Sequence, residues 1–571
     1  MIDATPGTLP APAASGPAEL ADRGAASIVQ AFAAYQEEFL AVTRRARQRF
    51  AHRDWKGAQA DALERLDVRA RHVGGLVERL HADLQGHAAE PELWSLLKSR
   101  LRARIARRPD VELAESFFHS ATRRSLSPAG TGARVEFAAG ELTAPLPDPG
   151  RPVFLTYAGG PTEGLMRRVL TDADVGASWR DLEADARRAA RHVDGVLGRA
   201  GFYAIDMLRP LLFRGKGAYL VGRLRQGAVD VPLILALLLV EGGVRLDAVL
   251  LAENQAAVLF SFTRSPFHVA SDRPRAVVDF LRTILPRKRL SEIYAAIGYR
   301  EHARTELLRE IRAHLERSSD RFELVRGHRR SVMAVFGPPS LNVVFKVIRD
   351  RFPPPRRATR EEVMRAYERV RRQDRAGRLP DAQALEDLVF PRNRFDPRVL
   401  EELLGGCAST VRLDGDDVHL RHVYVERRVT PLDLFLRETD GESARRAVAD
   451  LGEALRDLAA TNTFPGELRL EDFGVTRTGR VILCDYDGIR RVTEVVFRDL
   501  PRSAAGEDDV FPGELLASLD LPPPLRDTFL ATHAELLSPR YWQAMQERLR
   551  AGEIIDVFPY ERGARLPEVE P

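Results

Sequence analysis

Lys346 stands inside the apolar pattern Val343-Val344-Phe345-Lys346-Val347-Ile348. The chain has 86 basic residues, and only five are lysine: Lys56, Lys98, Lys216, Lys288 and Lys346. The other four sit in polar or turn-like stretches. A lysine in an apolar strand buries its stem and needs an anion for its ammonium, and a planar guanidinium does not replace so compact a charge. Phosphoryl-transfer sites use a strand lysine of this kind to hold nucleotide phosphates, paired with a helix carboxylate. A strand-edge lysine that reaches out to water fits the same six residues.

A second group of residues adds to the first. Glu467 and Asp472 are five positions apart, the spacing of the acid and the metal-binding amide in H-R-D-x-x-x-x-N. The apolar run Val481–Leu483 follows a turn at Gly479 and leads into Cys484-Asp485-Tyr486-Asp487. Asp485 therefore takes the place of the aspartate that holds metal between phosphates. Magnesium takes hard oxygen ligands, which Asp472, Asp485 and Asp487 supply. A Thr-Gly hairpin ending in solvated carboxylates is the plainer reading. Three other segments offer less. Asp414-Gly415-Asp416-Asp417 lacks EF-hand spacing and reads as a hairpin turn. Gly215-Lys216-Gly217 is followed by no strand-to-helix phosphate cradle and also reads as a turn. Residues 325–330 lack GxGxxG, and no GxxxxGK[ST] occurs.

The elements that must position these residues follow from hydrophobic periodicity. Ile28, Phe32, Tyr35 and Phe39, and then Leu66, Val73, Val77 and Leu80, recur at helical spacing, so 25–125 reads as helices. Residues 128–150 read as a loop and 177–213 as helix. Strands are expected at 218–224, 231–239, 244–251 and 258–262. Turns at Gln226-Gly227 and Glu241-Gly242-Gly243 make the first three an antiparallel meander. Helices are expected at 274–285 and 290–318. Beyond residue 320 the expected order is strands at 322–325, 332–336 and 341–348, helices at 358–374 and 381–389, and a hairpin of 410–413 with 418–425. A helix capped by Thr430 and another at 444–460 come next, and the acidic loop closes the order. That order is the one found in protein kinases.

Composition narrows the class. At 571 residues the chain is long enough for two or more domains. The 86 basic and 82 acidic residues nearly cancel, and the arginine pairs lack interleaved aromatics, which argues against nucleic-acid binding. Two cysteines exclude a disulfide framework and fit a cytoplasmic protein. The longest apolar run, Val231–Val240, is half a membrane span and reads as a buried strand. The first 22 residues, rich in Pro, Ala and Gly, read as a disordered leader.

Longer stretches carry a family likeness. They are ELAESFFHS from Glu112, LFRGKGAYLVGRL from Leu212, VLFSFTRSPFHV from Val258, GRLPDAQ from Gly377, FGVTRTGRV from Phe473 with CDYDGI, and SPRYWQAMQERLRAGEIIDVFPY from Ser538. On these residues the chain resembles the isocitrate dehydrogenase kinase/phosphatase family. The resemblance implies an α+β chain. Residues 23–320 would form a mostly helical regulatory domain with a small antiparallel sheet, and 321–571 a bilobal protein-kinase-like domain. It implies ATP, Mg²⁺ or Mn²⁺, and AMP as an effector. The protein substrate would be isocitrate dehydrogenase, phosphorylated and dephosphorylated on a serine to divide flux between the citric acid cycle and the glyoxylate bypass. A homodimer is left open.

The resemblance also implies site residues. The nucleotide loop would be Val325, Arg326, Gly327, His328, Arg329, Arg330 and Ser331, and Lys346 the nucleotide lysine. Asp381 and Glu467 would be catalytic, and Asp472, Asp485 and Asp487 would hold metal. Asp381 follows Pro380 at the start of an expected helix, so a cap role competes with catalysis. The family usually has Asp, Lys and Asn where this chain has Glu467, Glu471 and Asp472, and the loop after Asp499 is shorter than usual. A member with lost or narrowed kinase activity is therefore a second reading.

Overall fold

The structure is a computed structural model and describes residues 16–84, 87, 90–126, 152–227, 229–262, 265–327, 332–352, 359–373, 375–466, 468–486, 488–499, 508–555, 557, 560 and 565–566. The chain divides into two compact units, residues 1–41 with 65–150, and 42–64 with 151–571. The expected loop at 128–150 and residues 1–15 of the expected leader lie outside the described residues. The first helix, Pro17–Ala51, starts inside that leader and buries Leu20 and Ala21.

The first unit is helical where described. Its further helices are Pro91–Ile105, Val111–Leu126 and the part of Trp55–Asp83 from Arg65 on. Phe32, Tyr35 and Phe117 meet at its centre, with Tyr35 stacked on Phe117 at 5.5 Å. The Arg69 guanidinium lies over both of those rings. Helical spacing brought these aromatics to one face, as the sequence pattern requires.

The second unit opens with an antiparallel sheet of β1 (Phe154–Ala158), β2 (Ala204–Leu208), β3 (Leu212–Arg214), β4 (Gly217–Gln226), β5 (Val229–Val240), β6 (Gly243–Leu250) and β7 (His268–Val269). Its order is β1-β2-β4-β3-β7, and β5 pairs with β4 and β6. The meander turns fall at Gly227, Gly242 and Gly243, all at positive φ. Gly215 turns β3 into β4, as read from the sequence.

Two expectations fail in this region. Residues 204–213 form β2 and β3, not helix. The preceding helix, Leu182–Leu197, stops at Gly198, and β2 is buried along its whole length, so it lacks the alternation that marks a strand. Residues 258–262 are not a strand. Their apolar residues are the last turn and exit of the helix Glu253–Leu259, which buries Ala256, Leu259 and Phe260. Helices Pro274–Ile284, Leu290–Ala296 and Arg300–Arg317 follow.

The sheet that carries Lys346 comprises β8 (Glu323–Leu324), β9 (Met333–Gly337), β10 (Val343–Ile348), β11 (Gln383–Pro391), β12 (Val411–Asp414) and β13 (Asp417–Arg427). Its order is β11-β13-β10-β9-β8, with β12 on β13. One face packs Phe322, Phe336, Phe345, Phe390 and Phe395 together. The other face turns Met333, Val335, Val344 and Tyr424 toward the helix Arg360–Gln373, and Tyr367 of that helix stacks on Tyr424 at 4.0 Å.

Residues 381–389 were expected as helix, but 383–391 are a strand. The register passes from Glu386↔His422 to Leu388↔Leu420 and skips Asp387, which has φ 53°. No residue is inserted, since Arg421 opposite is skipped as well, and Leu385 and Leu388 are both buried at a spacing of three, which imitates a helix.

Behind this sheet lie the helix Gly441–Ala460, β14 (Thr430–Pro431), β15 (Phe473–Val475) and β16 (Val481–Leu483). Thr430 pairs with Val475 and does not cap; Pro431 precedes the helix Leu432–Glu438. Arg378 joins these elements. It contacts Asp457 and Asp450 at 2.7 Å each and donates to the Val481 carbonyl at 3.0 Å, while its own carbonyl accepts from Leu483 N.

Removing one member of such a buried group typically costs about 3–5 kcal/mol. Arg378→Met is therefore expected to lower the urea midpoint of this unit, read by circular dichroism. An unchanged midpoint would mean that Arg378 is not its tie.

Candidate active site

Lys346 lies on an interior strand. It is opposite Val335 on β9 and Tyr424 on β13 and is only 6% exposed, so it is not a strand-edge lysine that reaches water. Its ammonium meets Glu426 Oε2 at 2.7 Å and donates to the Cys484 carbonyl at 3.0 Å. The Tyr486 ring centroid is 5.9 Å away. Burial works against the charge, but Glu426, with help from Cys484 and Asp485, holds the lysine above its ordinary value. The expected partner was a helix carboxylate, and the observed one is on a strand. Val344 pairs with Glu426, so Glu426 is diagonal to Lys346 across the ladder and on the same face. Lys98 and Lys288 are buried too, so the company Lys346 keeps marks it more than its burial does.

The acidic loop is fixed by its backbone. β15 and β16 pair from Phe473↔Leu483 to Val475↔Val481 around Gly479, at φ 78°. The Asp472 carbonyl accepts from Cys484 N at 2.7 Å and from Asp485 N at 3.3 Å. Asp472 and Asp485 are thus held side by side, and the Cys484 carbonyl between them reaches Lys346. Asp472 is 7% exposed and Asp485 half-buried, so the Asp472 end of this hairpin is not solvated. Among the described residues no three His, Cys, Asp or Glu side chains form a metal-binding group. Glu467 and Asp487 lie outside the described residues. Asp472 and Asp485, whose backbones are hydrogen-bonded, are of the oxygen-ligand type that magnesium takes alongside phosphate and water. Glu471, in place of the family's usual lysine, has Arg469 at 3.8 Å, which offsets part of its charge.

Asp381 does not start a helix, because β11 follows it, so the cap reading fails. Gln383 Nε2 donates to Asp381 Oδ2 at 2.7 Å, and Arg300 is 4.0 Å away. Asp381 and Glu426 line one cavity of about 90 Å³ together with Lys288, Arg289, Arg427 and Arg480. Of the expected nucleotide loop, Val325 N donates to Val335 O, and Arg326 pairs with Glu438. Gly327 has φ 91° and lies so close to Pro431 that a Cβ would come within 2.8 Å of it. His328, Arg329, Arg330 and Ser331 lie outside the described residues.

Sequence reasoning missed Glu426 and Arg378. The signal for Glu426 was its place two positions beyond Tyr424 on an apolar strand, but its use depends on the register of β10 against β13. Arg378 could have been suspected as the cation of the GRLPDAQ stretch.

Comparison with known proteins shows the family. Residues 320–562 match the model of the isocitrate dehydrogenase kinase/phosphatase (AceK) kinase domain, and residues 25–319 match that of the regulatory domain. The chain belongs to the isocitrate dehydrogenase kinase/phosphatase family. A relative of that name from Anaeromyxobacter sp. (strain Fw109-5) is 49% identical over 568 residues, covering 96% of this chain and 99% of the relative. Another, from Anaeromyxobacter dehalogenans (strain 2CP-C), is 49% identical over 579 residues, covering 96% and 98%. Every candidate site residue lies within the kinase-domain match of this family member.

The ion pair changes what a lysine substitution tests. Lys346→Met leaves the buried Glu426 without its lysine, so it is expected to lose both stability and nucleotide binding. Adding Glu426→Gln should restore the melting temperature but not the binding of a fluorescent ATP analogue. Recovery of tight binding in the double variant would show that Lys346 does not hold phosphate.

Proposed function

We propose that this chain phosphorylates and dephosphorylates a serine of isocitrate dehydrogenase at a single site. ATP and a divalent cation, Mg²⁺ or Mn²⁺, would serve it, in the cytoplasm, and it would divide flux between the citric acid cycle and the glyoxylate bypass. The observation that carries the reading is the buried Lys346–Glu426 pair, hydrogen-bonded to the carbonyl that precedes Asp485. No described helix is long and apolar enough to cross a membrane.

We take residues 23–320 as the regulatory domain and 321–571 as a bilobal kinase-like domain. The β8–β13 sheet would be the smaller lobe, and β14–β16 with the helices behind them the larger. Lys346 would neutralise nucleotide phosphates, with Glu426 keeping it charged and aimed. Asp472, Asp485 and Asp487 would hold the cation, which when bound offsets phosphate charge and fixes its orientation. Glu467 would accept the serine proton. Asp381, held by Gln383 and with Arg300 nearby, would direct water in the phosphatase direction.

AMP, the effector the family likeness implies, would suit the cavity between Asp381 and Lys288. Burial there pushes the Lys288 ammonium down to about 7, and Arg427 adds repulsion that an anion would relieve. Lys288→Met is expected to abolish any AMP effect on the kinase-to-phosphatase ratio. A full AMP response in that variant would move the effector elsewhere.

The main test is incubation with ATP, Mg²⁺ and NADP-dependent isocitrate dehydrogenase from the same organism, with mass spectrometry of the serine. Phosphate should appear, and it should be lost again when ATP is replaced by ADP. Asp485→Asn should lose both directions, and Asp381→Ala mainly the phosphatase. An inert wild-type chain would overturn the reading.

One observation favours a slower kinase as a second reading. Asp472 is buried where the family usually has an amide, and Glu471 replaces a lysine. Loss of one electrostatic contact to the transferring phosphate typically costs about 10²–10³ in rate. Glu471→Lys with Asp472→Asn is expected to raise kinase turnover at saturating ATP. No gain would show that Arg469 already compensates.

A further inference from the structure

We infer that Phe262 is a positioning residue for the catalytic loops: its ring is the packing element against which the Gly377–Asp381 turn and the β16 hairpin are set. The inference rests on the roles proposed above for Asp381 and Asp485. Phe262 follows the helix Glu253–Leu259, is 3% exposed, and makes no contact with Lys346, Asp472 or Asp485 among those described.

Three features meet on this ring. The Arg214 guanidinium lies 4.2 Å from its centroid and 4.3 Å from that of Phe267. Arg214 is itself held, since its Nη1 donates to the Leu259 carbonyl at 2.7 Å. The Arg480 guanidinium lies 5.2 Å from the same centroid. Gly377 has φ +61°, and a Cβ there would stand 2.5 Å from two carbons of the ring. A side chain at 377 would therefore have to displace Phe262 or the turn. Burial first, then Arg378 and to a smaller extent Arg214, lowers the proton affinity of Arg480. The Phe262 ring supplies attraction to both guanidiniums.

From this ring two short paths lead to the acids. Gly377 begins the turn that ends at Asp381, and its neighbour Arg378 accepts at its carbonyl from Leu483 N, two residues before Asp485. Arg480 immediately precedes β16, which leads toward Asp485, and it shares Asp457 with Arg378. A shift of Phe262 would therefore move Asp381 and Asp485 together and, through the Cys484 carbonyl, loosen one bond of Lys346, while β10 and β13 keep the Lys346–Glu426 pair in place. A misplacement of about 1 Å can cost about 10²-fold in rate.

The test compares Phe262→Ala, Phe262→Leu, Gly377→Ala and the Phe262→Ala/Gly377→Ala pair in the full chain, below the melting temperature of each. The single Ala variants are expected to lose about tenfold or more in kcat, with a changed phosphatase-to-kinase ratio and ATP affinity within about threefold of the parent. Phe262→Leu, which keeps bulk, should recover most of the kcat. The double variant should be less damaged than the product of the singles, because removing the ring makes room for the new Cβ. Unchanged kcat in both directions for a folded Phe262→Ala chain would overturn the inference, as would strictly multiplicative losses in the double variant. If the parent itself acts on isocitrate dehydrogenase while Phe262→Ala matches it, only this inference fails; an inactive parent removes the functional reading beneath it.

Discussion

A charge buried without a partner is not tolerated in a protein interior, and the arrangement around Lys346 answers that constraint. The ammonium has one carboxylate, one carbonyl and one aromatic ring around it. A buried ion pair is weak evidence of stability, since replacing both members by packed hydrophobes is often neutral. Its retention in the centre of a sheet is better explained by use. Glu426 keeps the lysine charged, and the Cys484 carbonyl draws it toward the acidic loop. An incoming phosphate would meet a cation already desolvated and already pointed, which is the condition under which electrostatic stabilisation is strongest.

The same interaction ties two separate sheets to one place. β10 and β13 hold the lysine and its carboxylate, and the β15–β16 hairpin holds the aspartates. The hydrogen bond from Lys346 to Cys484 O spans 138 residues of sequence. Tyr367 reinforces it, stacking on Tyr424 and meeting Tyr486 edge-on at 4.7 Å, while the Tyr486 hydroxyl donates to the Pro380 carbonyl. Asp381 is one residue further on. The position of that aspartate thus depends on the same aromatic stack that borders the lysine.

Much of this was legible in the sequence, for identifiable reasons. The strand around Lys346, the hairpin leading to Asp485, the meander turns at Gly227 and Gly242–Gly243 and the long helices all carry strong local signals. The failures share one cause. β2 is buried on both faces, so its apolar residues run on without alternation. β11 has Asp387 at positive φ, and the buried Leu385 and Leu388 on either side of it stand three apart. The exit of the 253–259 helix concentrates apolar residues that imitate a strand. In each case tertiary burial, which periodicity cannot see, set the local pattern. Glu426 was missed for a related reason: its relation to Lys346 is a matter of register between strands some 80 residues apart in sequence, and nothing within either strand specifies it.

The choice between lysine and arginine shows what each buried site must do. Arg378 needs several donors in fixed directions, since it serves Asp450, Asp457 and the Val481 carbonyl at once. A guanidinium supplies a planar fork of donors, and its charge survives burial. Arg214 and Arg480 use the flat face of the same group over Phe262 and Phe267. These are structural tasks, and a chain with almost no lysine performs them throughout with arginine. At 346 the requirement differs. A compact ammonium can let go of Glu426 and the Cys484 carbonyl one hydrogen bond at a time and turn toward phosphate oxygens without moving a planar group through a packed interior. An arginine there would form a stronger, bidentate pair with Glu426 and would be harder to recruit. On the role proposed for it, the lysine at this interior strand position would supply a charge held firmly enough to survive burial and loosely enough to change partners.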